Sequence, residues 1–449
     1  MSSKPAEVGN VPATWHVEEL RFFLDLITYG FTNPMPDAKD GPWKLTAKDV
    51  VDGRINYATA RRTTVDAFTN SLTDKSRPKL GDVLLTKDGS IGRVAVVDRE
   101  GVCINQSIAL LRPNALIDPS FLKYLLLSPH YQSAMEGDSD GSTIKHIYIT
   151  RVDKMQVAVP PLTEQKGILE IVGSIDDRIT LLRETNATLE AIAQALFKSW
   201  FVDFDTVRAK MEGRAPPGMD EATAALFPDA LEESELGWVP KGWQAGSLDT
   251  IFELNPKRTL KKDVQAPYLD MAGVATSGHC TDTPISRAMG SGSKFRNGDT
   301  LLARITPCLE NGKTAFVDFL EDGETGWGST EFLVLRPKAP LPDYYAYLLC
   351  RHPAFREYAI QSMSGTSGRQ RIQNDVLGRY LLPIAPDSVA LAFGSIVEPI
   401  HQAIAANHRT AQTLSTLRDT LLPRLISGQL RLPEAQAATE VALSDALEA

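Results

Sequence analysis

No stretch of this chain approaches the ~18 consecutive apolar residues that a membrane-crossing helix needs, which excludes a transmembrane protein at the level of sequence. Cysteine is scarce: Cys103, Cys280, Cys308 and Cys350 are the four in 449 residues, and no two stand in a CxxC pair. That spacing argues against a zinc knuckle and fits a reduced, cytoplasmic protein. The opening residues, Met1-Ser2-Ser3-Lys4-Pro5-Ala6-Glu7, lack the apolar core of a secretory signal. Catalytic signatures are missing too, with no HExxH, GxSxG or GxGxxG and no Asn-Pro-Pro-aromatic tetrapeptide of the DNA amino-methyltransferases. Gly312-Lys313-Thr314 has the end of a phosphate-binding loop, but Pro307 stands where its first glycine belongs, so an NTPase is rejected. The histidines are scattered, and no spacing of acids marks a metal site. Basic charge is also short. The net charge is −9, where a nucleic-acid binder is expected to show a basic footprint. Residues 212–235 hold seven acids against Arg214 alone and residues 433–449 hold four acids and no base, leaving the body near neutral. Net charge therefore neither supports nor excludes a nucleic-acid partner. With 43% hydrophobic and 23% charged residues, the composition is that of an ordinary globular protein too long for one core.

What the chain does have is an internal repeat. Gly9-Asn10-Val11-Pro12-Ala13-Thr14-Trp15 returns as Gly237-Trp238-Val239-Pro240-Lys241-Gly242-Trp243, and Gly81-Asp82-Val83-Leu84-Leu85 as Gly298-Asp299-Thr300-Leu301-Leu302. Leu110-Leu111-Arg112-Pro113, Tyr124-Leu125-Leu126 and Gly173-Ser174-Ile175 recur as Val334-Leu335-Arg336-Pro337, Tyr347-Leu348-Leu349 and Gly394-Ser395-Ile396, at offsets between 217 and 228. A period this long denotes a duplicated domain, not a solenoid. Short apolar runs broken by Gly, Pro and Asp turns predict strands at 82–86, 93–97, 108–112, 300–304, 314–317 and 332–335. Short helices are predicted at 122–127 and 344–349. The Gly-Asp turns, Trp15 and Trp243 read as structural, without assigned function.

After each domain comes a proline-poor stretch with heptad spacing. Val172, Ile179, Ala193 and Trp200 form one column and Ile175, Leu182, Leu189 and Leu196 the other, as in a coiled-coil seam. In the second half Phe393, Ile400, Leu414 and Leu421 repeat the first column, while Ile396, Ala403, Thr410 and Leu417 form the second. Asn186 and Asn407 interrupt the first column at equivalent places, where a polar residue fixes register and partner number or is simply tolerated. About 30 helical residues span ~45 Å, more than the ~34 Å turn of B-DNA, so the pair suits a spacer as well as a stabilising contact.

A duplicated domain-plus-helix chain without catalytic motifs resembles the specificity subunits of type I restriction-modification systems over nearly its whole length. The segment Leu196-Phe197-Lys198-Ser199-Trp200-Phe201-Val202-Asp203-Phe204, continuing through Val207-Arg208-Ala209-Lys210-Met211-Glu212-Gly213-Arg214, is similar to that family's central region. So are the stretches 305–313, 328–332 and 365–370 to its recognition domains, and Pro160-Pro161-Leu162-Thr163-Glu164-Gln165 to the lead-in of its first helix. The second lead-in, Pro383-Ile384-Ala385-Pro386, departs by lacking Glu-Gln.

The resemblance implies an α+β fold: two tandem β-rich target-recognition domains, each followed by a long helix, the two helices pairing as an antiparallel coiled coil. Expected bounds are 1–165 for target-recognition domain 1, 166–206 for the first helix and 207–236 for an acidic Pro/Gly linker. Target-recognition domain 2 follows at 237–390, the second helix at 391–428 and a tail, disordered or weakly helical, at 429–449. The seam is placed at Ile175, Ile179, Leu182, Asn186, Leu189, Leu196, Trp200, Ile400, Asn407, Leu414, Leu417 and Leu421. Such a chain is non-catalytic and cytoplasmic. It reads double-stranded DNA as two half-sites and assembles with two methyltransferase subunits and with restriction subunits. S-adenosylmethionine, ATP and Mg belong to those partners, and this chain binds none. Arginine and lysine read guanine, and asparagine and glutamine read adenine, in the major groove. The candidate contacts are thus polar residues of Gly-rich loops: Lys87, Ser90, Thr143, Lys145 and His146 in the first domain, and Arg304, Thr306, Asn311, Lys313, Thr366, Arg369, Gln370 and Arg371 in the second. Because these loops differ, for example Thr86-Lys87-Asp88-Gly89-Ser90 against Ala303-Arg304-Ile305-Thr306-Pro307, an asymmetric bipartite site is expected. Two alternatives stay open: a protein-interaction scaffold without DNA reading, and a standalone nuclease or modification enzyme.

Overall fold

A computed structural model describes residues 11–137, 146–366 and 368–448. The chain is a mixed α and β protein and divides into two compact units. One comprises the chain up to Ile179 with the residues from Gln412 onward, and the other is Thr180–Ala411. The division falls within both long helices, Leu162–Phe201 and Asp387–Ile426.

The repeated sequence builds the same plan twice. An antiparallel sheet in the order Leu24–Tyr29, Ile108–Pro113, Val83–Thr86, Val94–Val96 in the first unit corresponds to Phe252–Leu254, Phe332–Pro337, Thr300–Ala303, Thr314–Phe316 in the second. Its inner strands are largely apolar because both faces are covered, and alternate residues serve opposite sides. In the second unit Leu301, Ala315 and Val334 pack with Leu269 and Phe295 of a second sheet, whereas Leu302, Phe316 and Leu333 pack with Tyr344, Tyr347 and Leu348 of the helix Tyr344–Arg351. That second sheet sets Gln265–Leu269 between Ile285–Ala288 and a parallel partner, Gly326–Gly328, beyond which lies Ser293–Phe295. Its counterpart sets Ala38–Leu45 between Arg61–Arg62 and the parallel strand Val102–Ile104.

Three of the repeated sequence features have structural jobs. The Gly-Asp turns need positive φ at glycine (+84° at Gly81, +87° at Gly298), and the buried aspartate that follows clamps the arginine of the Arg-Pro repeat. Asp82 accepts from Arg112 Nε and Nη2 at 2.8 and 2.7 Å, and Asp299 lies 2.9 Å from Arg336 Nε. The repeated tyrosines tie each domain to the first long helix: Tyr124 Oη donates to Asp176 and Tyr347 Oη to Glu190, both at 2.5 Å. Trp15 Nε1 donates to Glu164 at 3.1 Å, and the buried Gln165 amide binds Asp118 N–H and the Leu116 and Pro160 carbonyls. The second lead-in has no acid at that place, and Trp243 Nε1 is buried without a partner among the described residues.

In the second unit the helical segments 180–201 and 387–411 lie against one another, Asn407 Nδ2 donating to Asn186 Oδ1 at 2.9 Å and Asn186 Nδ2 to the Ile404 carbonyl at 3.0 Å. Trp200 meets Phe393 at 5.5 Å. In the first unit Asp176 pairs with Arg418 at 2.9 Å. Ile175, Ile179, Leu182, Trp200, Leu414 and Leu421 are buried, while Asn186, Leu189, Leu196, Ile400, Asn407 and Leu417 are half-buried. The second column expected on the second helix is displaced: Ile396 and Ala403 are exposed, and Val397, Ile404 and Ala411 are buried instead. This helix also covers its own domain, with His401 stacked on Tyr344 at 5.2 Å, which turns its apolar face away from a strict seam.

Two further stretches are more ordered than their composition suggests. The stretch 207–236 is not a bare exposed connection: it carries the helices Asp205–Met211 and Glu221–Ala225 and a strand, Leu231–Ser234, paired with Gly237–Pro240. Val207 and Phe227 are buried, Phe227 meeting Trp200 edge-on at 5.0 Å, so a few aromatic contacts override an acidic composition. The tail forms a helix, Leu432–Glu448, in which Ala435 and Thr439 are buried and Leu432 lies against Gly167, consistent with the high helix propensity of its alanines. The helix Asp387–Ile426 contains a stretch that would suit a membrane span by length and composition only. Val389, Phe393, Val397, Ile404 and Leu414 of that helix are buried inside the protein.

Candidate nucleic-acid interface

The same loop frame closes one end of the main sheet in each unit. Beyond Thr86, Lys87 N–H donates to the Ser107 carbonyl and the Lys87 carbonyl accepts from Ile147 N–H, at 2.9 and 2.8 Å. Beyond Ala303, Arg304 N–H donates to the Glu331 carbonyl and the Arg304 carbonyl accepts from Ile372 N–H, both at 3.0 Å. The next residues bridge alike, Asp88 to His146 and Ile305 to Arg371. The backbone frame is repeated, whereas the side chains it presents differ.

In the second unit they converge on a carboxylate. Arg371 grips Glu331 with Nε at 3.0 and 2.9 Å and Nη2 at 2.6 Å, and Arg304 places Nε 4.0 Å from the same group and donates from Nη2 to Gln373 at 3.2 Å. The Arg371 guanidinium holds the Glu331 carboxyl below its ordinary range, and the carboxylate in turn raises Arg371. Thr306 Oγ1 accepts from Gln370 N–H and Thr306 N–H donates to the Gln370 carbonyl, both at 3.1 Å, locking the two loops together. Thr366, Arg369 and Asn311 are exposed on these loops. Lys313 departs from the group, because its Nζ donates to the Met271 and Ala272 carbonyls at 2.6 and 3.4 Å and so serves the scaffold.

In the first unit Lys87 is buried with its ammonium 2.9 Å from Asp88 and 5.3 Å from the centre of the Tyr29 ring. His146 Nδ1 also bonds to Asp88, and its ring lies 4.5 Å from Tyr148. Ser90 is exposed, and its carbonyl accepts from Thr86 Oγ1 at 2.5 Å. Thr143 and Lys145 lie outside the described residues. The donors that residue type points to are organised by two acceptors that it does not, Asp88 and Glu331. Their sequence signal is positional, since Asp88 follows Lys87 and Glu331 ends Gly328-Ser329-Thr330-Glu331.

Such a frame can discriminate bases. An arginine whose Nε edge is held by a carboxylate still has free N–H groups for guanine O6 and N7, and a carboxylate oxygen can accept from a cytosine amino group. No group of His, Cys, Asp and Glu able to hold a metal ion occurs among the described residues.

Comparison with known proteins finds several similarities. Residues 35–191 match the type I restriction modification DNA specificity domain. The chain is similar to the type I restriction enzyme MjaIX specificity subunit of Methanocaldococcus jannaschii, at 23% identity covering 96% of this chain and 97% of that one. It is also similar to the HindI specificity subunit of Haemophilus influenzae, at 24% identity covering 79% and 88%. Among solved structures, the type I restriction-modification S subunit from M. genitalium shares the fold, with a TM-score of 0.52 and 17% identity over 94% of this chain and 99% of that one.

Proposed function

We propose that this chain, similar along its length to type I restriction-modification specificity subunits, is such a subunit: the non-catalytic component reading an asymmetric, bipartite site in double-stranded DNA. The observation that carries this reading is the duplicated loop frame with unlike side chains: Lys87, Asp88 and His146 in one domain, Arg304, Glu331 and Arg371 in the other. Equal frames provide equal docking of two domains on DNA, and unequal side chains provide two different half-sites. Arg304, Arg371, Gln370 and Glu331 are the proposed base readers of the second half-site, with Thr366, Arg369 and Asn311 at its edge. His146, Asp88 and Ser90 are those of the first.

The two long helices, on this reading, pair antiparallel as a coiled coil and set the number of unread base pairs between the half-sites. Two methyltransferase subunits dock on the chain and flip the target adenine, and restriction subunits join them in the cytoplasm. S-adenosylmethionine, ATP and Mg act in those partners.

The test is to express the chain with its methyltransferase partner and map adenine methylation across a host genome, with and without this chain. A split motif that appears only with the chain, and has unequal halves, is the expected result. Equal halves would contradict the asymmetric reading. Methylation indifferent to the chain, with both proteins folded and co-purifying, would overturn the proposal in favour of a scaffold or an independent enzyme.

A further inference from the structure

The second sheet of the second unit carries a cationic patch that the base-reading loops do not use. Tyr268 and Trp327 occupy paired positions on the parallel strands Gln265–Leu269 and Gly326–Gly328, their rings 4.5 Å apart. Arg287, exposed on the neighbouring strand, lays its guanidinium over both rings, 4.7 Å from Tyr268 and 5.7 Å from Trp327. The segment Lys257-Arg258-Thr259-Leu260-Lys261-Lys262 is pinned to the same cluster, since Leu260 packs against the group formed by Trp327, Ala266 and Met289 and its carbonyl accepts from Lys294 Nζ at 3.3 Å. Arg258 turns inward to Asp299, leaving Lys257, Lys261 and Lys262 exposed. Among the described residues no carboxylate lies within 4.0 Å of these three lysines, of Lys294 or of Arg287. In a chain of net charge −9 this is a local exception, and it costs electrostatic repulsion unless something anionic occupies it.

The first unit repeats the central feature. Arg62 stands 225 positions before Arg287 and Trp43 stands 225 before Tyr268, with Arg62 4.2 Å from the Trp43 ring centre. In the second unit the sheet abuts the reading loops through Ser293 Oγ, which donates at 2.7 Å to the carbonyl of Phe332, the residue after Glu331.

We propose that Lys257, Lys261, Lys262 and Arg287 form a contact surface for the phosphate backbone of duplex DNA, separate from the base-reading loops. Stacking on Tyr268 and Trp327 fixes the guanidinium plane while leaving its edge free for phosphate oxygens, and the lysines add point charges on a loop held in place by Leu260. This surface supplies affinity and orientation without sequence preference, so that the loops around Glu331 contribute discrimination. The inference rests on the DNA-reading function proposed above.

The test uses the full chain in complex with its methyltransferase partner and two probes: a duplex carrying the methylation-mapped site and one of equal length with both half-sites scrambled. Affinities are measured across a salt series for the wild type, for K257Q/K261Q/K262Q and for R287Q. Each lost phosphate contact flattens the dependence of log K on log salt by about 0.9, so the triple variant should flatten it by about 2 to 3 and R287Q by about 1. Both probes should weaken by the same factor, roughly 10- to 100-fold for the triple variant at moderate salt. A triple variant with unchanged slope and affinity, or one that loses affinity only for the mapped site, overturns the patch. Should the wild type fail to prefer the mapped site while the triple variant still flattens the slope, the reading function fails and the patch stands.

Discussion

Asn186 and Asn407 offer the sharpest test of how the two long helices recognise each other. Asn186 makes two side-chain hydrogen bonds, accepting from Asn407 at 2.9 Å and donating to the Ile404 carbonyl at 3.0 Å, and both asparagines are half-buried. A neutral hydrogen bond nets about 0.5–1.5 kcal/mol, and stranding a partner adds about 1–3 kcal/mol, toward the lower end at half-burial. Asn186→Leu breaks both bonds and strands the Asn407 amide, so it should cost about 2 kcal/mol. Asn407→Leu breaks one and should cost about 1 kcal/mol. The double variant strands no side chain and should cost only about 1 kcal/mol. The leucine burial gain is common to single and double variants and cancels, so the coupling between the two sites is about 2 kcal/mol. Native-state amide exchange of the full chain, read over 180–201 and 387–411, measures it locally and avoids assuming two-state unfolding of a two-unit protein. Single costs that simply add in the double variant, within about 0.5 kcal/mol, would refute a direct interaction between the asparagines.

Glu331→Gln releases Arg371 and Arg304, so methylation mapping should show relaxed or altered base choice in one half of the split motif, worth roughly 1–3 kcal/mol at the affected pair, with the other half unchanged. His279, fully buried, donates from Nε2 toward Asp318 at 3.1 Å and meets Tyr344 Oη at 3.0 Å. Burial opposes its charge, but the bond to Asp318 and the neighbouring Cys280 outweigh burial and push the imidazole up to about 10. A raised folded-state pKa stabilises fully below the unfolded value of about 6.5 and is lost as pH rises to about 10. The Tm advantage of the wild type over His279→Asn should therefore shrink across that window, and a constant difference would contradict it. Trp15→Phe loses the bond to Glu164 and should lower Tm, whereas Trp243→Phe removes an indole N–H without a partner among the described residues and should cost less; equal losses would show that ring size alone matters. Tyr347→Phe should loosen the second domain on the first long helix, seen as faster amide exchange in 344–351, because among the described residues Glu190 then keeps Arg351 at 3.7 Å as its polar partner.

Local periodicity carried most of the fold. Runs such as Val83–Thr86 and Thr300–Ala303 read as strands because they are short, apolar and begin directly after a Gly-Asp turn, and the repeat at 217 to 228 positions announces two copies of one plan. The heptad columns marked both long helices, and the two asparagines stood out because polar residues are costly at such positions. Pairing information lies outside any local window. That Asn407 bonds to Asn186, that Glu331 gathers Arg304 and Arg371 from loops 27 and 40 positions away, and that Leu260 pins a basic loop onto Tyr268 and Trp327 all follow from contacts between distant segments. For the same reason composition suggests an exposed connection for the acidic stretch and a disordered or weakly helical tail, yet Phe227 and Ala435 find apolar surfaces that only the folded chain provides. The second helix carried its heptad visibly, but which face it buries was decided by the domain packed against His401 and Val397, since burial depends on what surrounds a helix as much as on its own pattern.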